Sequence, residues 1–374
     1  MEQIKPNYKC SIIANPEGGS WKFANEVYGY VRNKLKENYR GEKRRYVEEI
    51  KGELESRLPD ITDERKHELE VFAEILYEKQ RGKLEDWIEL NKLNIRKFRD
   101  GEHKPKILDN IRDCNVFYIH DSNLNPDEWL AQLITVEDAI RSSSPHKATY
   151  VMPYKRFTRQ ERKDESRTSI STRAIAKILN EVHNGVLTID IHSEAIPGNF
   201  RIPFDALYSF PTVIAYLKNN YPEILNDLVV VSPDAGGGKR AEAFAKKVNG
   251  KDVVIGYKVR PEEGKVGKLR LRDFKGKQVL IIDDILDSGG TLIEASKAAR
   301  NQGAERVYAY VTHPLFTKGY EEVINNFKRL FVGNTVNHSD LEKYEKVSVI
   351  SFTELFGEAI YRMSQGKSIS ALFN

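Results

Sequence analysis

Residues 279–291 read VLIIDDILDSGGT. Four apolar residues run into two adjacent aspartates, Asp283 and Asp284. A third, Asp287, follows, and then Ser288, Gly289, Gly290 and Thr291. In parallel α/β sheets, ligands bind beyond the carboxyl ends of the strands. Ser-Gly-Gly-Thr followed by LIEASKAA reads as a turn feeding a helix N-terminus. The glycines let backbone N–H groups approach an anion, and the helix end adds partial positive charge. Asp283 and Asp284 cannot face a bare phosphate, but they can accept hydrogen bonds from sugar hydroxyls or bind a metal. A ribose bearing a 5′-phosphate meets both demands, with hydroxyls to the carboxylates and phosphate to the turn. The plainer alternative is a strand followed by an ordinary Asp-rich turn. It leaves the offset between the paired acids and DSGGT unexplained.

Working outward, short apolar runs alternate with helix-period sequence over most of the chain. NVFYIH (115–120), ATYVMPY (148–154), GVLTIDIH (185–192), LVVVSPDAG (228–236), KQVLIIDD (277–284) and RVYAYVTH (306–313) are such runs. This pattern predicts βα units and a mainly parallel sheet covered on both faces. The stretch from about 36 to 92 departs from it, with many Lys, Glu and Arg and with spaced apolar residues such as Leu69, Phe72 and Leu76. Thr62 can cap a helix there, with Asp63 and Glu64 in its first turn. Two or so long surface helices are predicted, solvated or in contact with another subunit. Residues 115–140 and 278–299 share a strand, acidic-polar loop and helix pattern. The first copy lacks the paired aspartates and Gly-Gly, so it has lost the phosphate chemistry.

The 374 residues suffice for two domains. Against 59 Lys and Arg stand 55 Asp and Glu, a net charge of +4 that demands no nucleic acid and suits a phosphorylated small molecule. The two cysteines, Cys10 and Cys114, form no metal spacing or disulfide framework, which indicates a reducing compartment. No signal-peptide core or apolar run of membrane-spanning length is present. A cytoplasmic protein without membrane contact is expected.

VLIIDDILDSGGT resembles the phosphoribosyl-pyrophosphate motif of type I phosphoribosyltransferase folds. Further segments resemble the ribose-phosphate pyrophosphokinase family in order: FRDGE (98–102), TRQERK (158–163), TIDIH (188–192), IPFDALYSFP (202–211), VVVSPDAGGGKRAEAFAK (229–246) and SISALF (368–373). The resemblance covers roughly residues 95–374. It implies two tandem phosphoribosyltransferase-like domains, 1–208 with the charged helical insertion and 209–374 with the motif.

It also implies ATP and ribose 5-phosphate as substrates and Mg²⁺ as cofactor. Asp283, Asp284, Asp287, Ser288, Gly289, Gly290 and Thr291 would hold ribose 5-phosphate. Arg159 and Gln160 would contact ATP, and His192 and Asp234 would lie at the metal–ATP site. Phe98, Asp100 and Glu102 would reach the adenine of an ATP bound mainly by a neighbouring subunit. That implies a dimer-based homo-oligomer, up to a hexamer. GYKVRPEEGKVGKLRLRD (256–273) is similar to the family's catalytic flexible loop. Lys258 and Arg260 alternate there, and an extended chain points both to one side, where charge builds on a transferring pyrophosphoryl group.

Each residue also has a plainer reading. A lone histidine at a strand end is more often structural, Arg-Gln on a loop is a surface pair, FRDGE is a polar turn, and the Gly-rich stretch is a solvated loop. The sequence departs from the family at Val259, where many relatives carry Arg, and at Glu161, where Asp is usual. HSEAIPGNFRIP (192–203) lacks the usual glutamines and second aromatic. Two other functions compete. A non-catalytic regulatory relative should show a damaged loop or ribose-phosphate site. A base phosphoribosyltransferase would not need the ATP-type segments.

Overall fold

The first sheet begins with β1 (Cys10–Ala14), β2 (Ile88–Lys97), β3 (His103–Ile107) and β4 (Asn115–Ile119). It continues through β5 (Lys147–Met152), β6 (Gly185–Ile189) and β7 (Phe204–Leu207). A computed structural model of the chain describes residues 8–57, 62–180, 185–234, 236–248, 252–255, 257–258, 269–270 and 274–372. Among these the strands order as β3-β2-β1-β4-β5-β6-β7, parallel except for the β2–β3 hairpin. The second sheet comprises β8 (Leu228–Ser232), β9 (Asp252–Ile255), β12 (Gln278–Leu286), β13 (Arg306–Pro314), β14 (Arg329–Gly333) and β15 (Val347–Ile350). It is parallel throughout, in the order β15-β14-β13-β12-β8-β9. Between β9 and β12, β10 (Tyr257–Lys258) and β11 (Leu269–Arg270) pair as a short antiparallel ribbon.

Side-chain alternation decides which faces meet. Ile12, Phe117 and Leu187 of the first sheet share one buried cluster with Leu280, Ile282, Tyr310 and Phe331 of the second. Four helices complete that central layer: α1 (Trp21–Arg57), α5 (Phe210–Asn220), α6 (Gly238–Lys247) and α9 (Thr353–Ser364). The opposite residues, Ile13 and Val116, pack outward under α3 (Pro126–Ser142) and α4 (Ser171–Leu179). Val229, Val231, Val279 and Ile281 pack outward under α7 (Gly290–Asn301) and α8 (Glu321–Asn325). Gly357 lets α1 approach α9 closely: a Cβ there would lie 2.7 Å from the Tyr30 ring. Tyr30 also donates to Glu358 at 3.0 Å.

The charged stretch folds as the outer half of α1 and α2 (Asp63–Arg81). Its helices begin earlier than the expected residue 36 and end before 92. Phe23, Val27, Val31 and Leu35 put the first turns of α1 in the core at i, i+4 spacing, and residues 88–92 are already β2. Beyond Leu35 the buried stripe gives way: Asn38 still donates to the Tyr361 hydroxyl of α9 and Tyr39 packs edge-on against Trp87, and farther out α1 pairs with α2. Lys43 pairs with Glu74 at 2.8 Å and Glu78 at 3.0 Å, and Lys51 with Glu70 at 2.5 Å. Thr62 does cap α2, accepting from the Arg65 N–H at 3.5 Å. Among the described residues no helix is long and apolar enough to cross a membrane.

Candidate active site

Both sheets reverse their winding once, between β1 and β4 and between β8 and β12. Such reversals open a crevice at the carboxyl ends of the strands. At the second, β8 stops at Ser232, paired no further than Val231 against Ile281, while β12 runs on beside β13 to the Leu286–Pro314 pair. The paired aspartates therefore lie inside the last turn of strand pairing rather than beyond it. Asp283 pairs with Val311 in register, and only the β8 side of β12 is open. Gly289 caps α7 in the left-handed region at φ 82°, and no side chain caps the first amides of this helix. Ser288 and Gly290 are exposed in that turn, Thr291 is half-buried and Gly289 itself is buried.

The acids are held by residues from both halves of the chain. His192, three residues beyond β6, meets Asp284 with Nδ1 to Oδ2 at 2.8 Å. Arg240, on α6 (Gly238–Lys247), donates to the other oxygen of Asp284 at 3.0 Å and to the Ile191 carbonyl at 3.4 Å. Burial disfavours charge on Asp284, which is 3% exposed. The His192 hydrogen bond and the Arg240 guanidinium outweigh it and hold the carboxyl well below the usual carboxylate range. The same hydrogen bond pushes the His192 imidazole up against the pull of burial. Asp283 goes the other way: burial, then the charge of Asp284 and the more distant Asp234, push it well above its ordinary value. The two adjacent carboxyls are thus pushed in opposite directions, Asp284 by its two partners and Asp283 by burial.

Asp287 makes a second bridge. It accepts from Arg159 at 2.6 Å and from the Thr317 hydroxyl at 2.7 Å, and both hydrogen bonds lower its carboxyl. Asp234, just past β8, accepts the Gly237 N–H at 2.9 Å. The structure therefore brings together Arg159, His192, Asp234, Asp283, Asp284 and Asp287. Gln160 instead turns into its own loop, donating to the Arg162 carbonyl and to Asp164. Phe98, Asp100 and Glu102 form the tip of the β2–β3 hairpin, with Phe98 53% exposed. That hairpin lies at the far edge of the first sheet, four strands from β6, roughly 19 Å at ordinary strand spacing. Lys258 lies on β10 opposite Leu269, and Arg260 lies outside the described residues.

Sequence reasoning passed over Arg240. A signal was present: Lys239 and Arg240 occupy the first turn of α6, where the helix dipole disfavours cations, so a nearby carboxylate must repay them. Among the described residues no group of three or more His, Cys, Asp and Glu is arranged to hold a metal ion. His192 and Asp234 are at most a partial protein ligand set. That suits a hard cation held mainly by phosphates and water.

Comparison with known proteins agrees with this architecture. Residues 41–182 match the N-terminal domain of ribose phosphate pyrophosphokinase, and residues 207–346 match the phosphoribosyl transferase domain. A ribose-phosphate pyrophosphokinase of Nostoc sp. is 35% identical over 290 residues, covering 76% of this chain and 87% of the relative. One from Thermosipho africanus is 35% identical over 314 residues, covering 82% and 98%. One from Chlorobaculum tepidum is 37% identical over 281 residues, covering 74% and 85%. The crystal structure of phosphoribosylpyrophosphate synthetase from Mycobacterium smegmatis superposes with a TM-score of 0.72 at 20% identity, covering 96% of this chain and 99% of that one, a likeness of fold. With two tandem, mainly parallel sheets and matches over most of its length, the chain belongs to the ribose-phosphate pyrophosphokinase family.

Proposed function

We propose that the protein transfers the β,γ-pyrophosphoryl group of ATP to the C1 hydroxyl of ribose 5-phosphate, giving PRPP and AMP. One observation carries this reading. Residues expected at ATP and residues expected at ribose 5-phosphate meet directly, His192 on Asp284 and Arg159 on Asp287. A base phosphoribosyltransferase would need no such junction.

In this reading the open amides at the start of α7, beside Ser288, Gly289, Gly290 and Thr291, bind the 5-phosphate. Asp283 and Asp284 take the ribose hydroxyls. Arg159 exchanges Asp287 for a nucleotide phosphate. Mg²⁺, near His192 and Asp234, would neutralise phosphate charge when bound. Lys258 and Arg260 would cover the transferring group. The C1 oxygen attacks the β-phosphorus as the bond to the α-phosphate oxygen breaks, so positioning and charge neutralisation matter more than a strong base. The exposed Phe98, Asp100 and Glu102, remote from this centre within one chain, fit contacts to a neighbouring subunit's ATP in a homo-oligomer. We assign residues 1–208 and 209–374 as the two domains. The non-catalytic alternative is disfavoured because DDILDSGGT, Lys258 and Arg260 are all retained.

Incubation with ATP, Mg²⁺ and ribose 5-phosphate should yield AMP and PRPP one for one. Absence of AMP across metal and phosphate conditions would overturn the catalytic reading.

A further inference from the structure

The two sides of α2 are unlike. Ala73 and Tyr77, 1% and 2% exposed, face α1, as do the paired Glu70, Glu74 and Glu78. At about 100° per residue, the opposite side of the helix carries Glu68, Phe72, Ile75 and Lys79, with Val71 at its margin. Val71, Phe72 and Ile75 are 47%, 54% and 57% exposed. The other large exposed apolar residues among those described are scattered singly, so this patch stands apart. The spacing of four, three and four residues from Glu68 to Lys79 is that of a helix–helix seam. Glu68 and Lys79, at its two ends, form no ion pair among the described residues, whereas the charges on the α1 side do.

We infer that this face of α2 binds the same face of a second copy of the chain, as an antiparallel helix pair about a two-fold axis. The order of charges selects both the partner and the direction. A two-fold axis across the helix between residues 73 and 74 sets Phe72 over Ile75 of the other copy. It sets Glu68 against Lys79 and, by symmetry, Lys79 against Glu68. A parallel arrangement would oppose Glu68 to Glu68 and Lys79 to Lys79. Self-complementarity of this kind is the requirement for a closed isologous contact. The buried apolar stripe of α1 ends at Leu35, and the seam residues of α2 are exposed. The inserted helices are thereby an assembly element, distinct from the crevice at β12 and from the β2–β3 hairpin.

The test is the solution mass of the full chain by sedimentation and light scattering. The wild-type chain should sediment as a multiple of 43.0 kDa. Phe72→Asp should reduce that mass twofold or more. Lys79→Glu alone should weaken self-association by about tenfold or more, from two repulsive pairs per contact. The double change Glu68→Lys with Lys79→Glu should restore it, because every pair is inverted together. With Phe72→Cys and Ile75→Cys in one chain, mild oxidation should give a covalent dimer; the native Cys10 and Cys114 are buried and free. A monomeric wild-type chain, an unchanged mass for Phe72→Asp, or failure of the charge inversion to restore assembly would each overturn the proposal. So would capture of only a different protein by this face. All substituted positions are exposed, and circular dichroism reports whether α2 itself survives.

Discussion

Lys155 follows β5 and is 2% exposed, yet among the described residues no carboxylate pairs with it. Its ammonium donates to the Arg156 carbonyl at 3.3 Å, lies 5.2 Å from the centre of the Phe200 ring, and lines a small cavity with Thr158, Thr188 and His192. Burial alone pushes the amine down from 10.5 to about 7. The folded chain therefore releases a proton that the unfolded chain keeps between pH 7 and 10.5, and stability rises with pH through that window. At about 1.36 kcal/mol per pKa unit, the ionisation costs roughly 4–5 kcal/mol at pH 6 and about 2 kcal/mol at pH 9. Lys155→Met keeps the stem and its contact with Phe200, removes that cost, and loses one hydrogen bond of about 1 kcal/mol. The variant should be more stable than wild type by about 3–4 kcal/mol at pH 6 and by only about 1 kcal/mol at pH 9. Paired urea unfolding curves at the two pH values, followed by circular dichroism, measure the difference. Titrations common to both proteins cancel in it. An advantage that does not shrink between pH 6 and pH 9, or a destabilised variant at pH 6, would refute a buried charged lysine.

Three further outcomes are expected. Arg240→Met leaves Asp284 buried with one cation fewer; it should cost about 2–4 kcal/mol in urea unfolding and raise KM for ribose 5-phosphate at least tenfold, with Arg240→Lys recovering part of both. Gly289→Ala forces a side chain into a left-handed position and to 2.3 Å from Val323; it should destabilise by about 1–3 kcal/mol and weaken ribose 5-phosphate binding, whereas Gly290→Ala, whose Cβ would meet Ser288 Oγ at an ordinary 3.9 Å, should leave the unfolding midpoint nearly unchanged. Lys258→Ala should lower kcat by about a hundredfold or more with a much smaller change in KM, and equal turnover would remove this ribbon from catalysis.

The second half of the site was legible because its chemistry is local. Strand, paired acids, glycine turn and helix start fall within thirteen consecutive residues, each with a backbone reason to be there. What joins that loop to the first half was not legible. His192 is 92 residues from Asp284, and Arg159 is 128 from Asp287. Nothing in either local sequence specifies such a partner. The run-on of β12 past Ile282 is likewise tertiary, since the nine-residue β13 continues to pair it after β8 has ended. The start of α1 was missed for the opposite reason. Its apolar stripe from Phe23 to Leu35 is ordinary amphipathic helix, and the conspicuous charge begins only beyond it. That charge pattern did predict the α2 cap at Thr62.

The weak internal repeat explains why a two-sheet chain needs only one phosphoribosyl crevice. The first sheet has its own switch point between β1 and β4, with Gly18, Gly19 and Ser20 leading into α1 much as Gly236 and Gly237 lead into α6 beside the second switch point. At the first the chain supplies its own anion. Asp121 accepts the Gly19 N–H at 2.7 Å and the Asn123 N–H at 2.9 Å, with the Ser20 hydroxyl 3.4 Å away, and a Cβ on Gly18 would strike the same carboxylate at 2.7 Å. A phosphate cannot enter a cradle already filled by a carboxylate whose hydrogen bonds it would have to replace. Asn123 then ties this plugged turn to the second half through two hydrogen bonds with Asn337, at 2.7 and 3.0 Å. With its own crevice closed, the first sheet contributes from the next two strand ends instead, Arg159 beyond β5 and His192 beyond β6. One duplicated fold thereby yields two unlike halves of a single crevice, joined where His192 meets Asp284 and Arg159 meets Asp287.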